Sequence, residues 1–252
     1  MSTPAAPSPR GLARRAVGRG AETGSGGRLV PLLLAALTLP ACSRDPCRAP
    51  PPPPLSAADS VLLDPASDRL RQRPPDTFFV RLATSKGPVT LEIVRAWAPL
   101  GAYRFYNLVR NGFYDGSRFY RVLPGFVAQF GTSGRPQVDL AWIDQHLPDD
   151  PRKASNLQGT ITFAMAKPGT RTTQVFINYR DNPSLDEAGF APFGRVIAGS
   201  GALLQLYSAY GEPEPTGKGP RWDCVIRGGN PYLQKRFGRL DHIDSARIVP
   251  QP

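Results

Sequence analysis

The sequence predicts a mainly β domain, either a barrel or a sandwich. The 252-residue chain contains 29 Pro and 25 Gly, a composition that favours a loop-rich fold over a helical one. Apolar residues recur at period two in many short segments, and the helical period appears in only two substantial ones. Many short strands with few helices are typical of barrels and sandwiches.

The elements follow from these periods in chain order. Segments 78–84 and 89–93 predict a hairpin around Lys86-Gly87, and 99–110 predicts a helix that ends at Asn111-Gly112. The remaining predicted elements are strands over 118–123 and 126–130, a long loop over 132–158 with a short helix at 139–145, strands over 160–166, 174–179 and 191–198, a second helix over 202–209, a proline-rich loop around 213–220, and a closing strand over 245–249.

Residues 1–41 predict a signal peptide. Five Arg precede an apolar run, Val30 to Leu39, that is too short to span a bilayer. The following Leu39-Pro40-Ala41-Cys42 resembles a bacterial lipobox, which implies that Cys42 becomes the lipidated first residue of the mature protein. Ordinary signal cleavage is the alternative. The sequence therefore predicts a lipoprotein of the bacterial cell envelope, held at a membrane by its lipid anchor and facing the periplasm or the exterior.

Residues 42–75 predict a flexible, Pro-rich tether, and 76–252 the folded domain. The proline run at 50–54 favours a stiff polyproline II segment.

Charge and cysteine usage exclude several function classes. The net charge of +11 includes five Arg and one Glu in residues 1–41, so the remainder carries +7. These basic residues are scattered, which argues against a nucleic-acid partner.

Cys47 and Cys224 either pair in an oxidising compartment or stay free. Neither lies in a CxxC motif and the two His are far apart, so we expect no metal.

The candidate site lies in segments 118–131 and 159–178. Polar and aromatic residues interrupt their apolar alternation, namely Arg121, Phe126, Gln129, Gln174 and Phe176. An isolated arginine is usually a surface charge, so the surrounding motif decides how this one is interpreted. FYRVLPGFVAQ at 119–129 resembles the F-H-R-[IV]-[IV]-P-G-F-x-x-Q motif of the cyclophilins, which are peptidyl-prolyl cis-trans isomerases. Three further blocks of that family have counterparts here, namely QVFI at 174–177, LD at 185–186 and FGRV at 193–196, which resemble them.

The resemblance implies a fold and an activity. The fold would be a closed eight-stranded antiparallel β-barrel capped by two α-helices. The protein would accelerate X-Pro isomerisation in proline-containing polypeptides during folding of envelope or secreted proteins, as a monomer and without a cofactor. A guanidinium suits this chemistry because it donates hydrogen bonds as the amide twists.

The resemblance also implies residue roles. Arg121 would be catalytic, and Gln129 would orient it and contact the substrate. Gln174 would complete a polar wall, and the backbone of Met165, Ala166 and Lys167 would pair with the peptide. The apolar socket for the proline ring would consist of Phe126, Val127, Phe176 and Leu185, with Phe190 at its rim.

Four positions depart from the family pattern. Tyr120 replaces the motif's His and Lys167 replaces an Asn, while Ser184 stands in place of a Trp and Phe190 near a pocket His. The last two changes predict weak cyclosporin binding. They also leave an alternative function, a peptide-binding or chaperone module with weak or no isomerase activity.

Overall fold

The computed structural model describes residues 45–252, and the predicted signal peptide and Cys42 lie outside them. One eight-stranded antiparallel sheet forms its centre, which confirms the mainly β prediction. The strands are β1 (Thr77–Thr84), β2 (Gly87–Val94), β3 (Arg121–Leu123), β4 (Val127–Phe130), β5 (Thr160–Phe163), β6 (Val175–Asn178), β7 (Pro192–Ala198) and β8 (Ile243–Val249). Their order across the sheet is β3-β4-β6-β5-β7-β2-β1-β8.

The sheet is open and curled, so the prediction of a closed barrel is wrong. Closure would require β3 and β8, the two outer strands, to pair along their length. They do not form a ladder in the described chain, and the residues leading into them meet in one isolated bridge, Arg118 with His242. The half-barrel leaves the face of β3, β4 and β6 available for a site.

The core fills the concave side of the sheet and is covered by helix α1 (Pro99–Arg110). Phe105 of α1 packs against Phe193 of β7 at a ring-centroid distance of 5.1 Å and against Tyr114 at 5.2 Å. All three side chains are fully buried, and the apolar period of the helix predicts this for Phe105.

The C-terminal helices differ from the prediction. Short helices α2 (Pro136–Trp142), α3 (Pro183–Glu187) and α4 (Ser200–Leu204) surround the sheet, and α4 replaces the longer helix expected at 202–209. The second long helical segment is α5 (Trp222–Arg236), in which two helices meet at a kink where Gly229 has a non-helical φ of 53°, and Pro231 follows the kink. Both residues normally interrupt helices, so the helical period is broken in the sequence. Gly229 is required because its Cβ would collide with the carbonyl of Gly134.

Residues 45–75, the N-terminal strap, differ from the flexible tether that their proline content predicts. The strap lies against the domain, with Leu62 and Leu70 buried in the main core. Trp142 donates an indole hydrogen bond to the Leu62 carbonyl at 2.8 Å, and Arg135 pairs with the buried Asp59. Apolar residues spaced between the prolines supply this burial, which a reading based on proline content misses.

A disulfide joins Cys47 of the strap to Cys224 of α5, which resolves the open question about these two cysteines. Cys47, Asp223 and Cys224 form the one cluster of potential metal ligands in residues 45–252. Its two sulfurs are bonded to each other and are therefore not thiolates. No helix within this part of the chain is long and apolar enough to cross a membrane.

Candidate active site

Strand register places the candidate residues in one row across the sheet. Arg121 of β3 lies opposite Gln129 of β4, and Gln129 lies opposite Phe176 of β6. Directly opposed residues of antiparallel strands share a face, so the three side chains project together. The row combines a cation, an amide and an aromatic ring within three neighbouring strands.

An apolar cavity of about 300 Å³ lies beside this row. The structure brings seven of the predicted residues to it together with Arg121, and Ala164 is the lining residue that the prediction lacks. The lining residues are Arg121, Phe126, Val127, Gln129, Ala164, Met165, Phe176, Leu185 and Phe190.

The rim of this cavity is formed by α3 and the residue that follows its turn. The Phe190 ring meets Phe176 edge-on, with centroids 5.7 Å apart, and the Phe190 backbone N–H donates to the Leu185 carbonyl at 3.0 Å. Ser184 is exposed in α3. Phe190 therefore supplies an aromatic wall of the cavity, which Ser184 does not line.

Arg121 is held on three sides. Its Nη1 donates to Gln129 Oε1 at 3.2 Å, and its guanidinium carbon lies 5.6 Å from the centre of the Phe126 ring. On the opposite edge, Nε and Nη2 donate to the two carboxylate oxygens of Glu212 at 2.6 and 2.8 Å. This bidentate contact is the geometry in which arginine and carboxylate bind most strongly.

Glu212 is the site residue that the sequence prediction missed. It follows Arg121 by 91 positions and lies in the proline-rich loop, which carries no recognisable motif. The hydrogen bonds from Arg121, with a smaller Coulomb contribution, hold the pKa of Glu212 below its usual range. The carboxylate is therefore ionised throughout the neutral pH range.

Gln129 is fixed by a second polar network. Its Nε2 donates to the Tyr120 hydroxyl at 2.7 Å and to Gln174 Oε1 at 3.0 Å, and the Tyr120 hydroxyl itself donates to Gln174 Oε1. Burial raises the pKa of Tyr120, so this hydroxyl stays protonated and remains a donor. Tyr120, which takes the place of the motif's His, therefore fixes the side chain of Gln129 through its hydroxyl group.

A second cavity, of about 450 Å³, adjoins the first across Arg121, Gln129 and Met165. Gln174 and Ala166 line this second cavity and not the apolar one. Lys167 lines neither.

The segment 164–170 presents fewer free backbone groups than expected. The N–H groups of Ala166 and Lys167 both donate to Thr170 Oγ1 at 3.1 Å, and the Ala164 N–H donates to the Gln174 carbonyl. Strand β5 ends at Phe163, before the predicted boundary at 166. The Lys167 carbonyl accepts from the Thr170 N–H at 3.2 Å and from the Thr170 hydroxyl at 2.6 Å. A peptide that pairs here must therefore use the Ala166 carbonyl or displace Thr170.

Comparison with known proteins gives one consistent result. The profile of the family described as cyclophilin type peptidyl-prolyl cis-trans isomerase/CLD matches residues 79–226. A peptidyl-prolyl cis-trans isomerase of Acinetobacter baylyi is 32% identical over 154 residues, which cover 56% of this chain and 80% of that protein. Peptidyl-prolyl cis-trans isomerase A of Dickeya dadantii is 35% identical over 125 residues, 48% of this chain and 66% of that protein.

One relative is much longer. The chain spans 34% of the length of peptidyl-prolyl cis-trans isomerase-like 2 of Cryptococcus neoformans, with 28% identity over 198 residues.

Solved structures share the fold. A Cryptosporidium parvum cyclophilin-type isomerase superposes with a TM-score of 0.51 at 20% identity, over 70% of this chain and 99% of that one. The same protein, crystallised in the presence of the dipeptide Ala-Pro, also superposes with a TM-score of 0.51, over 69% of this chain.

Proposed function

Because the chain belongs to the cyclophilin-type peptidyl-prolyl cis-trans isomerase family, we propose that it holds a prolyl ring in the apolar cavity and presents Arg121 to the twisting amide. The family fixes the reaction as isomerisation of the X-Pro peptide bond. The observation that carries the residue assignment is the row Arg121–Gln129–Phe176, aligned by register beside the cavity.

The reaction needs no nucleophile. Rotation about the peptide bond breaks amide resonance and meets a barrier of about 18–20 kcal/mol, so uncatalysed X-Pro exchange takes roughly tens to hundreds of seconds. As the bond twists, the proline nitrogen gains a lone pair that a planar amide lacks. A donor aimed at that lone pair stabilises the twisted state more than the planar one, which is the condition for catalysis.

Arg121 can supply that donor. Its contacts with Gln129 and Glu212 use three N–H groups, one each on Nη1, Nε and Nη2. Within the described chain, one N–H on Nη1 and one on Nη2 remain for a substrate. Phe176 and Phe126 flank this position with apolar surface, which orients the ring relative to the donors.

The substrate class is an extended, proline-containing polypeptide. The related Cryptosporidium protein was crystallised in the presence of Ala-Pro, which supports a small residue and a proline as the central recognition unit. All residues of the row belong to one chain, which supports function as a monomer.

The arginine assignment is tested by exchange NMR on a peptide with a single Ala-Pro bond, comparing the purified protein with Arg121→Ala. We expect kcat/KM to fall by about two orders of magnitude, as when a donor to developing charge is removed. Arg195→Ala is the matched control, because Arg195 is an exposed arginine that pairs with Glu92 away from the cavity. We expect that control to retain wild-type activity.

Two results would contradict the proposal. Equal turnover by Arg121→Ala and the wild type would remove the arginine from the mechanism. Peptide binding without acceleration in the wild type would favour the peptide-binding alternative.

We also propose that the isomerase works in the cell envelope on proteins folding there, as a lipoprotein anchored through Cys42. Two observations support this. The Arg-rich segment, short apolar run and LPAC sequence have the layout of a lipoprotein signal. The Cys47–Cys224 disulfide is typical of an oxidising compartment.

A further inference from the structure

We propose that Glu212 is a positioning residue for Arg121, and that the loop 211–219 is built to hold it there. The inference rests on the proposed function, because it concerns how the arginine of that mechanism is aimed.

The contact between Glu212 and Arg121 fixes the guanidinium in its plane. Two parallel hydrogen bonds, at 2.6 and 2.8 Å, join the Nε–Nη2 edge to the carboxylate. Gln129 takes one N–H of Nη1 at 3.2 Å. Contacts on both edges fix the orientation of the guanidinium plane. Gln129 alone, through one longer hydrogen bond, would leave the guanidinium free to rotate. One N–H on Nη1 and one on Nη2 are left over within the described chain, and Arg121 lines the apolar cavity.

The loop supports Glu212 through its backbone. The Gly219 N–H donates to the Glu212 carbonyl at 2.8 Å, and Pro213 forms a bridge with Gly219. A Cβ at Gly217 would collide with the same Glu212 carbonyl, and one at Gly219 would lie 2.8 Å from it. These two glycines allow the loop to fold closely around residue 212, so the loop presents the carboxylate in a defined place.

The arrangement favours positioning over obstruction. The Glu212 side chain is 41% exposed. It lines the adjoining 450 Å³ cavity together with Arg121 and Gln129, and it does not line the apolar cavity of Phe126 and Phe176. A prolyl ring can therefore enter without displacing the carboxylate.

Glu212→Ala tests this in the Ala-Pro exchange assay with the full chain. We expect kcat to fall about tenfold while KM changes less than about twofold. The reason is that a donor in the wrong orientation loses more of its stabilisation of the transition state than of its binding to the ground state. Glu212→Gln keeps an acceptor at the same reach and should recover part of this loss. Glu92→Ala is the matched control, since it also removes a glutamate from an Arg Nε contact, at 2.7 Å, on β2 and β7. We expect it to leave kcat unchanged.

Two further readouts separate positioning from a general structural effect. In an Arg121→Ala background, Glu212→Ala should cause no additional loss, because residues that act as a unit are not additive. The Arg121 Nε–H NMR signal should be protected from solvent exchange in the wild type and lose that protection in Glu212→Ala. If Glu212→Ala proves unfolded by its urea midpoint, the same comparisons apply to Glu212→Leu, which keeps a long side chain but offers no acceptor, and wild-type kcat in that variant would overturn the inference.

The outcomes distinguish this inference from the proposed function. Loss of activity in Arg121→Ala with wild-type kcat in Glu212→Ala overturns the positioning role alone. A higher kcat in Glu212→Ala overturns it too, and shows that the carboxylate competes with the substrate. Wild-type activity in Arg121→Ala overturns both.

Discussion

The Cys47–Cys224 disulfide is expected to be a large contributor to the stability of the domain. It closes a loop between residues 177 positions apart, so it removes many conformations from the unfolded chain. Chain-entropy arguments give about 5 kcal/mol for a loop of this length, and measured values for native disulfides are typically about 2–4 kcal/mol. Taking about 3 kcal/mol and an m-value of about 2 kcal/mol/M, breaking the bond should lower the urea midpoint by roughly 1.5 M.

The assay is equilibrium urea unfolding of the oxidised protein, the protein in dithiothreitol, and a Cys47→Ala/Cys224→Ala double variant. Cys224 is fully buried, so the double variant also loses packing. The protein in dithiothreitol keeps both cysteine side chains, so its change in urea midpoint reports the loss of the cross-link alone. Added to the double variant, dithiothreitol should change nothing. If the wild-type midpoint in dithiothreitol stays within about 0.3 M of the oxidised value, the strap is held by its non-covalent contacts and the reasoning fails.

Two further predictions concern a buried carboxyl group and the predicted anchor. Burial raises the pKa of Asp139 to about 7, an effect only partly offset by the hydrogen bond from the Ser133 N–H, so its contribution to stability is full below about pH 4 and lost as pH rises towards 7. Asp139→Asn should therefore raise the melting temperature by about 2–4 °C at pH 8 but not at pH 4 in thermal scans, and an equal shift at both pH values would contradict this. Cys42→Ala should leave the protein soluble or unprocessed in cell fractionation. Normal processing with retention in the membrane fraction would refute the lipobox assignment.

The strands and the central row were predictable because both depend on local patterns. Period-two alternation located β1 and β2 within one or two residues, and the motif around Arg121 and Gln129 identified residues that the register then places opposite each other. Glu212 was not predictable, since its partner is 91 positions away and acidic residues in loops are common. Its role depends on a long-range contact that no local period encodes.

Helix α5 and the open sheet escaped prediction for different reasons. Gly229 forms a kink between two helices because the fold needs a close approach to Gly134 there, so the helical period does not continue through the whole of α5. Whether a curled sheet closes depends on the pairing of its outer strands. That pairing depends on how the segments before β3 and β8 pack. The alternation of residues within the strands carries no information about this packing.

The disulfide also changes what the proline run does. If the run were a spacer, Pro50 to Pro54 would hold the domain away from a membrane. These residues come after Cys47, which is bonded to α5, and Pro50 and Pro51 line one surface pocket together with Pro231 of α5. Cys42 and Cys47 are five positions apart, and a chain segment of that length spans at most about 17 Å when extended. Under the lipoprotein proposal the disulfide would therefore keep the isomerase close to its membrane. Reduction of the disulfide would let that reach extend to the next buried contacts of the strap, which are made by Asp59 and Leu62.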